Sequence, residues 1–175
     1  MSRVHPISAI VINESGVLAR IAGMFARRGF NIDSLAVGET QDPKYSRMTI
    51  LVRGDNRVLE QVVKQLNRMV DVIEVNDLAQ SPHVERELAL IKVQAPAAGR
   101  GEIIELVDIF RAKIVDVAPK QLIVEISGNS DKVDAMIDML KPYGIAELAR
   151  TGRIILARGS GASVAPAAAV DAVAA

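Results

Sequence analysis

The residues best suited to bind a ligand lie near the N-terminus, in the segment Asn13-Glu14-Ser15-Gly16-Val17-Leu18-Ala19-Arg20. An apolar run, Ile7 to Ile12, ends just before this segment, and apolar residues with helical spacing begin at Val17. This pattern predicts a strand, a tight turn and the start of a helix. The first turn of a helix has free N–H groups and the positive end of the helix dipole, and Gly16 lets a ligand approach the backbone. The turn is therefore a candidate site for the carboxylate of a free amino acid.

The same residues also have a purely structural interpretation. A polar turn with a glycine is common between a strand and a helix, because capping and a tight reversal need these residue types. Asn31 is ambiguous in the same way, since it follows Gly29 and can serve only as a turn residue. Within one copy, Asn31 and Ile32 lie past the far end of the predicted helix, about 16 Å from its first turn.

Other chemistry has little support in the sequence. The chain has no cysteine and only two histidines, His5 and His83, and neither has a plausible orienting partner for acid–base catalysis. Asp134 and Asp138 are spaced as on an exposed helix face, and Gly99-Arg100-Gly101 lacks the Lys-Ser/Thr ending of a P-loop. We therefore assign no catalytic residue and no metal site.

Composition and charge restrict the class of protein. Half of the 175 residues are hydrophobic, which is enough for one ordinary core or two small ones. Lys plus Arg and Asp plus Glu both number 21, and they are balanced on either side of Gln80, at 10 against 9 and 11 against 12. Nucleic acid and anionic membranes are therefore poor candidates for partners. The apolar runs are too short to span a bilayer, so we expect a cytoplasmic protein.

The elements that position the candidate turn follow a recognisable order. The first half alternates between strand-like and helical apolar spacing, in the order strand, helix, strand, strand, helix, strand. The predicted segments are a strand over 7–12, a helix from 17 to Gly29, strands over 32–38 and 47–52, a helix beginning at the N-cap Asp55, and a strand over 70–75. This is the split βαβ order of ferredoxin-like folds, with both helices on one face of the sheet.

The second half repeats this order of elements. Strands are predicted over 88–93, 114–117 and 122–126, with a helix around 103–110, a helix capped by Ser130, and strand residues from 145 to 156 that break near Thr151-Gly152. We therefore predict an α+β protein with two ferredoxin-like βαββαβ domains, residues 1–79 and 80–158. A flexible Ala-rich tail is predicted for residues 159–175.

A sheet with helices on one face leaves its other face or its edge to meet a partner, and a second copy is the simplest partner. We therefore expect a dimer. If the first helices pack antiparallel, the turn of one copy lies near Asn31 and Ile32 of the other. The resulting pocket would combine N–H groups near Gly16 with polar groups of Asn13 and Asn31, and its apolar surface would come from Val17, Leu18 and Ile32.

The ferredoxin-like fold also occurs in RNA-recognition modules, which stack bases on aromatic residues of the central strands. The corresponding strand here, Ser46 to Val52, has no aromatic residue, and the chain contains only three Phe, two Tyr and no Trp. The sequence therefore gives this alternative little support.

Four separated motifs, in order, resemble the small regulatory subunit of acetolactate synthase, also called acetohydroxyacid synthase. They are the segments Asn13 to Arg20, Arg28 to Leu35, Ser46 to Ile50 and His83 to Leu88. The resemblance covers the chain from the first strand to the end of the second domain. It implies that the first domain is an ACT domain, an amino-acid-sensing module, and that the second is particular to this subunit.

The resemblance also implies a function. Small subunits of this family have no catalytic activity and no cofactor of their own; they bind a large subunit that uses thiamine diphosphate, magnesium and FAD. They raise its activity and confer feedback inhibition, usually by valine, in branched-chain amino-acid biosynthesis. The implied effector residues are Asn13, Gly16, Val17 and Leu18, with Asn31 and Ile32 from the facing protomer. A free-standing ACT-type sensor that regulates another enzyme is the alternative.

Overall fold

The computed structural model describes residues 3–79 and 81–159. Apart from Gly159, the predicted flexible tail lies outside the described residues. The described part of the chain divides into two compact units: residues 3–79 and 81–84 together with 155–159, and Glu85–Ile154. Compactness alone does not define where a domain ends, so the boundaries at 79 and 158 stay a prediction.

The first unit has the predicted order of elements. They are β1 (Arg3–Ile12), α1 (Val17–Arg28), β2 (Ile32–Glu39), β3 (Tyr45–Gly54), α2 (Asn56–Leu66) and β4 (Val72–Asp77). The strands form an antiparallel sheet in the order β2-β3-β1-β4, which is the ferredoxin-like arrangement. Two helix boundaries follow the sequence signals, since Asp55 accepts a hydrogen bond from the N–H of Val58 and Gly29 ends α1 with φ of 67°.

The core of this unit lies between the sheet and its two helices. Ile7, Ala9 and Val11 alternate along β1 and are nearly inaccessible to solvent. They pack against buried residues of both helices: Val17, Ile21, Met24, Phe25, Leu59, Val62 and Leu66. The alternating apolar residues of the strand and the apolar stripes of the helices therefore form one buried layer. Val17 belongs to this layer, so the layer fixes where α1 begins.

The opposite face of the sheet is less exposed than we expected. Ser8, Thr49 and Leu51 are each 2% exposed, and Ile10 is 3% exposed. These residues lie on the two central strands, where neighbours flank them on both sides, and Nη1 of Arg47 donates to Oγ of Ser8 at 2.8 Å. The expectation of an uncovered face was wrong for these positions. Strand β2, by contrast, has no second partner in the described part of the sheet.

The second unit repeats the order of elements. They are β5 (His83–Gln94), which begins two residues before the unit does, α3 (Arg100–Ile109), β6 (Lys113–Val117), β7 (Gln121–Gly128), α4 (Ser130–Leu140), a 3₁₀ turn (Lys141–Tyr143) and β8 (Ile145–Arg150). A short strand, β9 (Ile154–Ala157), follows, and most of it is assigned to the first unit. The strand order is β6-β7-β5-β8, and β9 pairs with β5. The predicted break near Thr151-Gly152 is confirmed.

One predicted cap in this unit was wrong. The side chain that caps α4 belongs to Asn129, which accepts from the N–H of Lys132 at 3.2 Å, and Ser130 is the first residue of the helix. The two residues are adjacent and both are good caps, so the sequence did not separate them. The Ser130 hydroxyl instead donates to Oε1 of Glu85 at 2.9 Å.

Candidate functional site

The turn before α1 has the geometry of an open helix start. Gly16 occupies the N-cap position with φ of 84°, a left-handed conformation that favours glycine. No side chain caps this helix and its first turn contains no acidic residue. The N–H of Arg20 donates to Gly16 O at 2.9 Å, so the regular helical bonds begin at that residue.

The two N–H groups before Arg20 remain available. Within residues 3–79 and 81–159, neither Leu18 nor Ala19 has an N–H acceptor, whereas the N–H of Val17 makes a long 3.4 Å contact with Glu14 O. Leu18 is 47% exposed. The turn therefore presents unused donors beside an exposed apolar side chain.

Arg20 is a feature of this turn that the sequence interpretation missed. Its Nε and Nη2 donate to the two carboxylate oxygens of Asp71 at 2.7 and 2.8 Å. This hydrogen bonding raises the pKa of Arg20 and lowers the pKa of Asp71. A Cβ placed on Gly16 would lie 3.1 Å from the remaining Nη1, so the guanidinium lies beside the turn. The only sequence signal was the spacing of four residues between Gly16 and Arg20.

Asn13 already has a structural role. Its side-chain nitrogen donates to Pro43 O at 2.9 Å and to Oε1 of Glu39 at 3.3 Å, so it ties the end of β1 to the β2–β3 connection. The side-chain oxygen of Asn13 accepts no hydrogen bond from the described residues. Asn13 can therefore offer a ligand an acceptor, but its amide nitrogen is in use.

The predicted apolar lining needs one correction. The Val17 side chain is only 3% exposed and packs in the core, because it is the first residue of the buried stripe of α1. Val17 therefore offers its main chain to the turn, not its side chain. Ile32 also packs partly against the core, so Leu18 is the most exposed apolar side chain of the predicted set.

Asn31 and Ile32 lie beyond the opposite end of α1, as expected. The helix has twelve residues, and its length of ~18 Å separates them from the turn in one copy. The Asn31 amide donates to Oδ1 of Asp33 at 2.7 Å, and Ile32 begins β2, the strand at the edge of the sheet. A single chain therefore does not bring all six predicted residues together.

The other candidates have structural roles. His5 is 5% exposed, because β1 extends further toward the N-terminus than predicted. Arg100 donates to the carbonyl oxygens of Ala95, Ala118 and Pro119, so it braces a loop. The described residues contain no cluster of three or more metal-ligating side chains, and none of their helices is long and apolar enough to span a membrane.

Two family models match the chain. The model described as an AHAS small subunit-like ACT domain matches residues 7–74, and the model for the small subunit of acetolactate synthase matches residues 86–159. The first of these covers the candidate turn together with Asn31 and Ile32.

Similar proteins give the same family. A probable acetolactate synthase small subunit from Archaeoglobus fulgidus is 55% identical over 156 residues, which cover 89% of this chain and 98% of the relative. An acetolactate synthase small subunit from Aquifex aeolicus is 54% identical over 157 residues, covering 89% and 82%. The crystal structure of the Thermotoga maritima small subunit is 44% identical with a TM-score of 0.83, covering 90% and 98%. This chain therefore belongs to the family of acetolactate synthase small subunits.

Proposed function

We propose that this chain is the regulatory subunit of acetolactate synthase, that it has no catalytic activity of its own, and that it senses valine. It binds the large catalytic subunit, raises its activity and makes it sensitive to feedback inhibition in branched-chain amino-acid biosynthesis. The observation that carries the sensing role is the open start of α1, where the N–H groups of Leu18 and Ala19 have no acceptor among the described residues.

The chemistry of the turn matches the parts of a branched-chain amino acid. Unused N–H groups and the positive end of the helix dipole suit the α-carboxylate, and the nearby Arg20 guanidinium adds positive charge. The unused side-chain oxygen of Asn13 suits the ammonium group. The exposed Leu18 side chain offers an apolar surface for the branched side chain.

In this proposal a homodimer of ACT domains completes the site. Asn31 and Ile32 lie ~18 Å from the turn along α1, so they reach the same ligand only from a facing copy. The unpaired β2 edge and its exposed Val37, at 47%, fit side-by-side association. Asn31 then adds polar groups to the pocket and Ile32 closes its apolar side.

Valine bound across two protomers would favour one dimer geometry over another, and the large subunit would respond to that geometry. Only a difference in valine affinity between the two geometries can shift their populations. Allosteric couplings of ~1–3 kcal/mol change affinity by a factor of about 5 to 150. A small change at the dimer interface is therefore sufficient for effective feedback.

The test combines reconstitution with valine binding. The full chain is mixed with the purified large subunit, and acetolactate formation is measured with and without valine. We expect higher activity with the small subunit and inhibition by valine, and calorimetry with valine, leucine and isoleucine then ranks the effectors. A chain that fails to bind the large subunit but still binds valine would be a free-standing sensor, and the proposed function would be wrong.

A further inference from the structure

A cleft with a strongly basic lining lies on the outer surface of the helix layer of the first unit. Its volume is about 380 Å³, and we call it the basic cleft. Its lining residues are polar or charged and come from the end of α1, one stripe of α2 and the turn after α2: Arg28, Arg57, Glu60, Gln61, Lys64, Gln65 and Arg68. The two helices meet there through a 3.0 Å hydrogen bond from Nη2 of Arg28 to Oε1 of Gln65. None of these residues belongs to the proposed valine site.

The cations of the basic cleft outnumber its acids by four to one. The single acid, Glu60, pairs with Lys64 at 2.5 Å, and this hydrogen bond lowers the pKa of Glu60. No carboxylate in residues 3–79 or 81–159 forms an ion pair with Arg57 or Arg68. Since the whole chain is neutral, this excess is a local concentration of positive charge.

Helix dipoles explain some of these cations but not Arg57. Arg28 lies in the last turn of α1 and Lys64 in the last turn of α2, where positive charge is favourable. Arg57 is the second residue of α2, at the positive end of that dipole, and it follows the N-cap Asp55, whose carboxylate already accepts from the N–H of Val58. The dipole therefore does not account for a cation at this position, and the guanidinium, which has no ion pair among the described residues, is available to an external anion.

The length of the basic cleft indicates the kind of anion. Arg57 and Arg68 are separated by about three helical turns, ~16 Å, which is too far for one phosphate or one carboxylate to reach both. No aromatic side chain lines the cleft, so nucleic-acid bases have nothing on which to stack. An acidic segment with several carboxylates along one side matches the spacing, and arginine binds carboxylates through two parallel hydrogen bonds.

We infer that the basic cleft docks an acidic segment of the large catalytic subunit. The inference deepens the proposed function and rests on it, because that function requires a large subunit to bind. The cleft supplies guanidinium groups from α1, α2 and the turn after α2, and the glutamine amides beside them add neutral hydrogen-bonding groups. Electrostatic docking of this type sets the association rate and its dependence on salt.

The test measures binding of the full chain to the purified large subunit by biolayer interferometry. The variants are Arg57→Glu, Arg68→Glu and the double variant, and Lys120→Glu is the matched control. Lys120 is an exposed lysine of the second unit with the same change in charge. Each arginine reversal is expected to weaken binding about tenfold and the double variant about a hundredfold, while the control stays within about twofold.

Salt gives a second measurement. Wild-type affinity is expected to fall between about 50 mM and about 300 mM NaCl, and the double variant is expected to lose most of that dependence.

Cross-linking identifies the docked segment. The chain has no natural cysteine, so the variant Gln61→Cys has a single thiol. A cross-linker attached to this thiol is expected to label an Asp- and Glu-rich peptide of the large subunit. The same reagent on Lys120→Cys serves as the control.

Three results would overturn the inference. The arginine variants could bind as tightly as Lys120→Glu, the cross-linker could label a segment without acidic residues, or the wild-type cleft could bind tripolyphosphate without any loss of affinity for the large subunit. In each case valine binding and activation would persist, so the proposed function would survive. If the wild-type chain does not bind the large subunit at all, both proposals fail together.

Discussion

The starts of two helices, α1 in the first unit and α4 in the second, are built in opposite ways. At α1 a glycine occupies the cap position, no side chain caps the helix, and N–H groups remain unused. At α4 the Asn129 side chain caps one N–H, and Oε1 of Glu85 accepts from both the N–H and the hydroxyl of Ser130. The first helix start is open to an external anion, whereas the second is closed by the protein's own carboxylate.

The closed start belongs to a larger polar network. The Glu87 side chain is 4% exposed and receives two hydrogen bonds of 2.7 Å from Arg150, which also donates to Asp134. These hydrogen bonds raise the pKa of Arg150, so the guanidinium stays charged. The network joins β5, β8 and α4 and satisfies its charged groups internally. The same feature, a helix start, can therefore serve the fold when it is closed and a ligand when it is left open.

The largest expected effect on stability comes from breaking the closed site. Glu87→Ala leaves the partly buried Arg150 with only Asp134, and we expect a loss of about 3 kcal/mol in the free energy of unfolding. Urea denaturation measures this loss. The matched control is Glu147→Ala, which removes the exposed Lys92–Glu147 pair and should cost under about 1 kcal/mol. Similar losses in both variants would show that the network is no more than a surface ion pair.

Substitution of Gly16, at the open start of α1, should change valine binding more than it changes stability. Gly16→Asp places a carboxylate against that of valine, and we expect valine affinity to fall by about a hundredfold or more. Activation of the large subunit should persist, because Gly16 lies outside the basic cleft proposed to dock the large subunit. Calorimetry and the reconstituted assay measure the two effects.

The control for this variant is Gly16→Ala, which adds the same left-handed strain without the charge. We expect it to cost about 1–2 kcal/mol of stability and to weaken valine binding less than the aspartate does. Undiminished valine inhibition in Gly16→Asp would refute the assignment of the turn.

Asn31→Ala should have a smaller effect, since it removes one polar contact from the far side of the pocket. We expect valine affinity to fall about tenfold. Asn31 is exposed and its amide donates to Asp33, two residues further along the chain, so the free energy of unfolding should change by less than about 0.5 kcal/mol. Sedimentation separates weaker valine binding from weaker dimerisation, and unchanged affinity in an intact dimer would remove Asn31 from the site.

The smallest effect is expected at the Arg20–Asp71 pair. Its hydrogen bond lowers the folded-state pKa of Asp71 below the unfolded value, so its stabilising contribution is present above the unfolded pKa and is lost as pH falls through the folded pKa. Arg20→Gln should raise the pKa of Asp71, as measured by NMR titration. It should also weaken valine binding slightly. An unchanged pKa would show that the pair is not formed in solution.

Most of the fold could be predicted from the sequence because its signals are local. The alternation at Ile7, Ala9 and Val11 and the stripe from Val17 to Phe25 each specify one element and its buried face. Asp55 and Gly29 specify helix ends through their own chemistry. The adjacent residues Asn129 and Ser130 are about equally good N-cap residues, so only the folded structure shows which one caps the helix.

The candidate site was only partly predictable, because some of its features depend on distant contacts. The Arg20–Asp71 pair joins residues 51 positions apart, and nothing local to Asp71 indicates it. The burial of His5 depends on the full length of β1, and the burial of Val17 places its side chain in the core rather than in the pocket. Asn13 and Gly16 can line one pocket with Asn31 only if a second chain supplies Asn31, and this arrangement remains a prediction.

Two variants that are each expected to bind valine poorly show whether the site is shared between protomers. Gly16→Asp and Asn31→Ala are mixed, unfolded together and refolded, and valine binding is measured on the isolated mixed dimer near the wild-type dissociation constant. If each site combines the turn of one protomer with Asn31 of the other, one of the two sites is wild-type, and half of the wild-type binding returns. If the whole site lies within one protomer, both sites stay defective, and a mixed dimer without recovered binding would contradict the account.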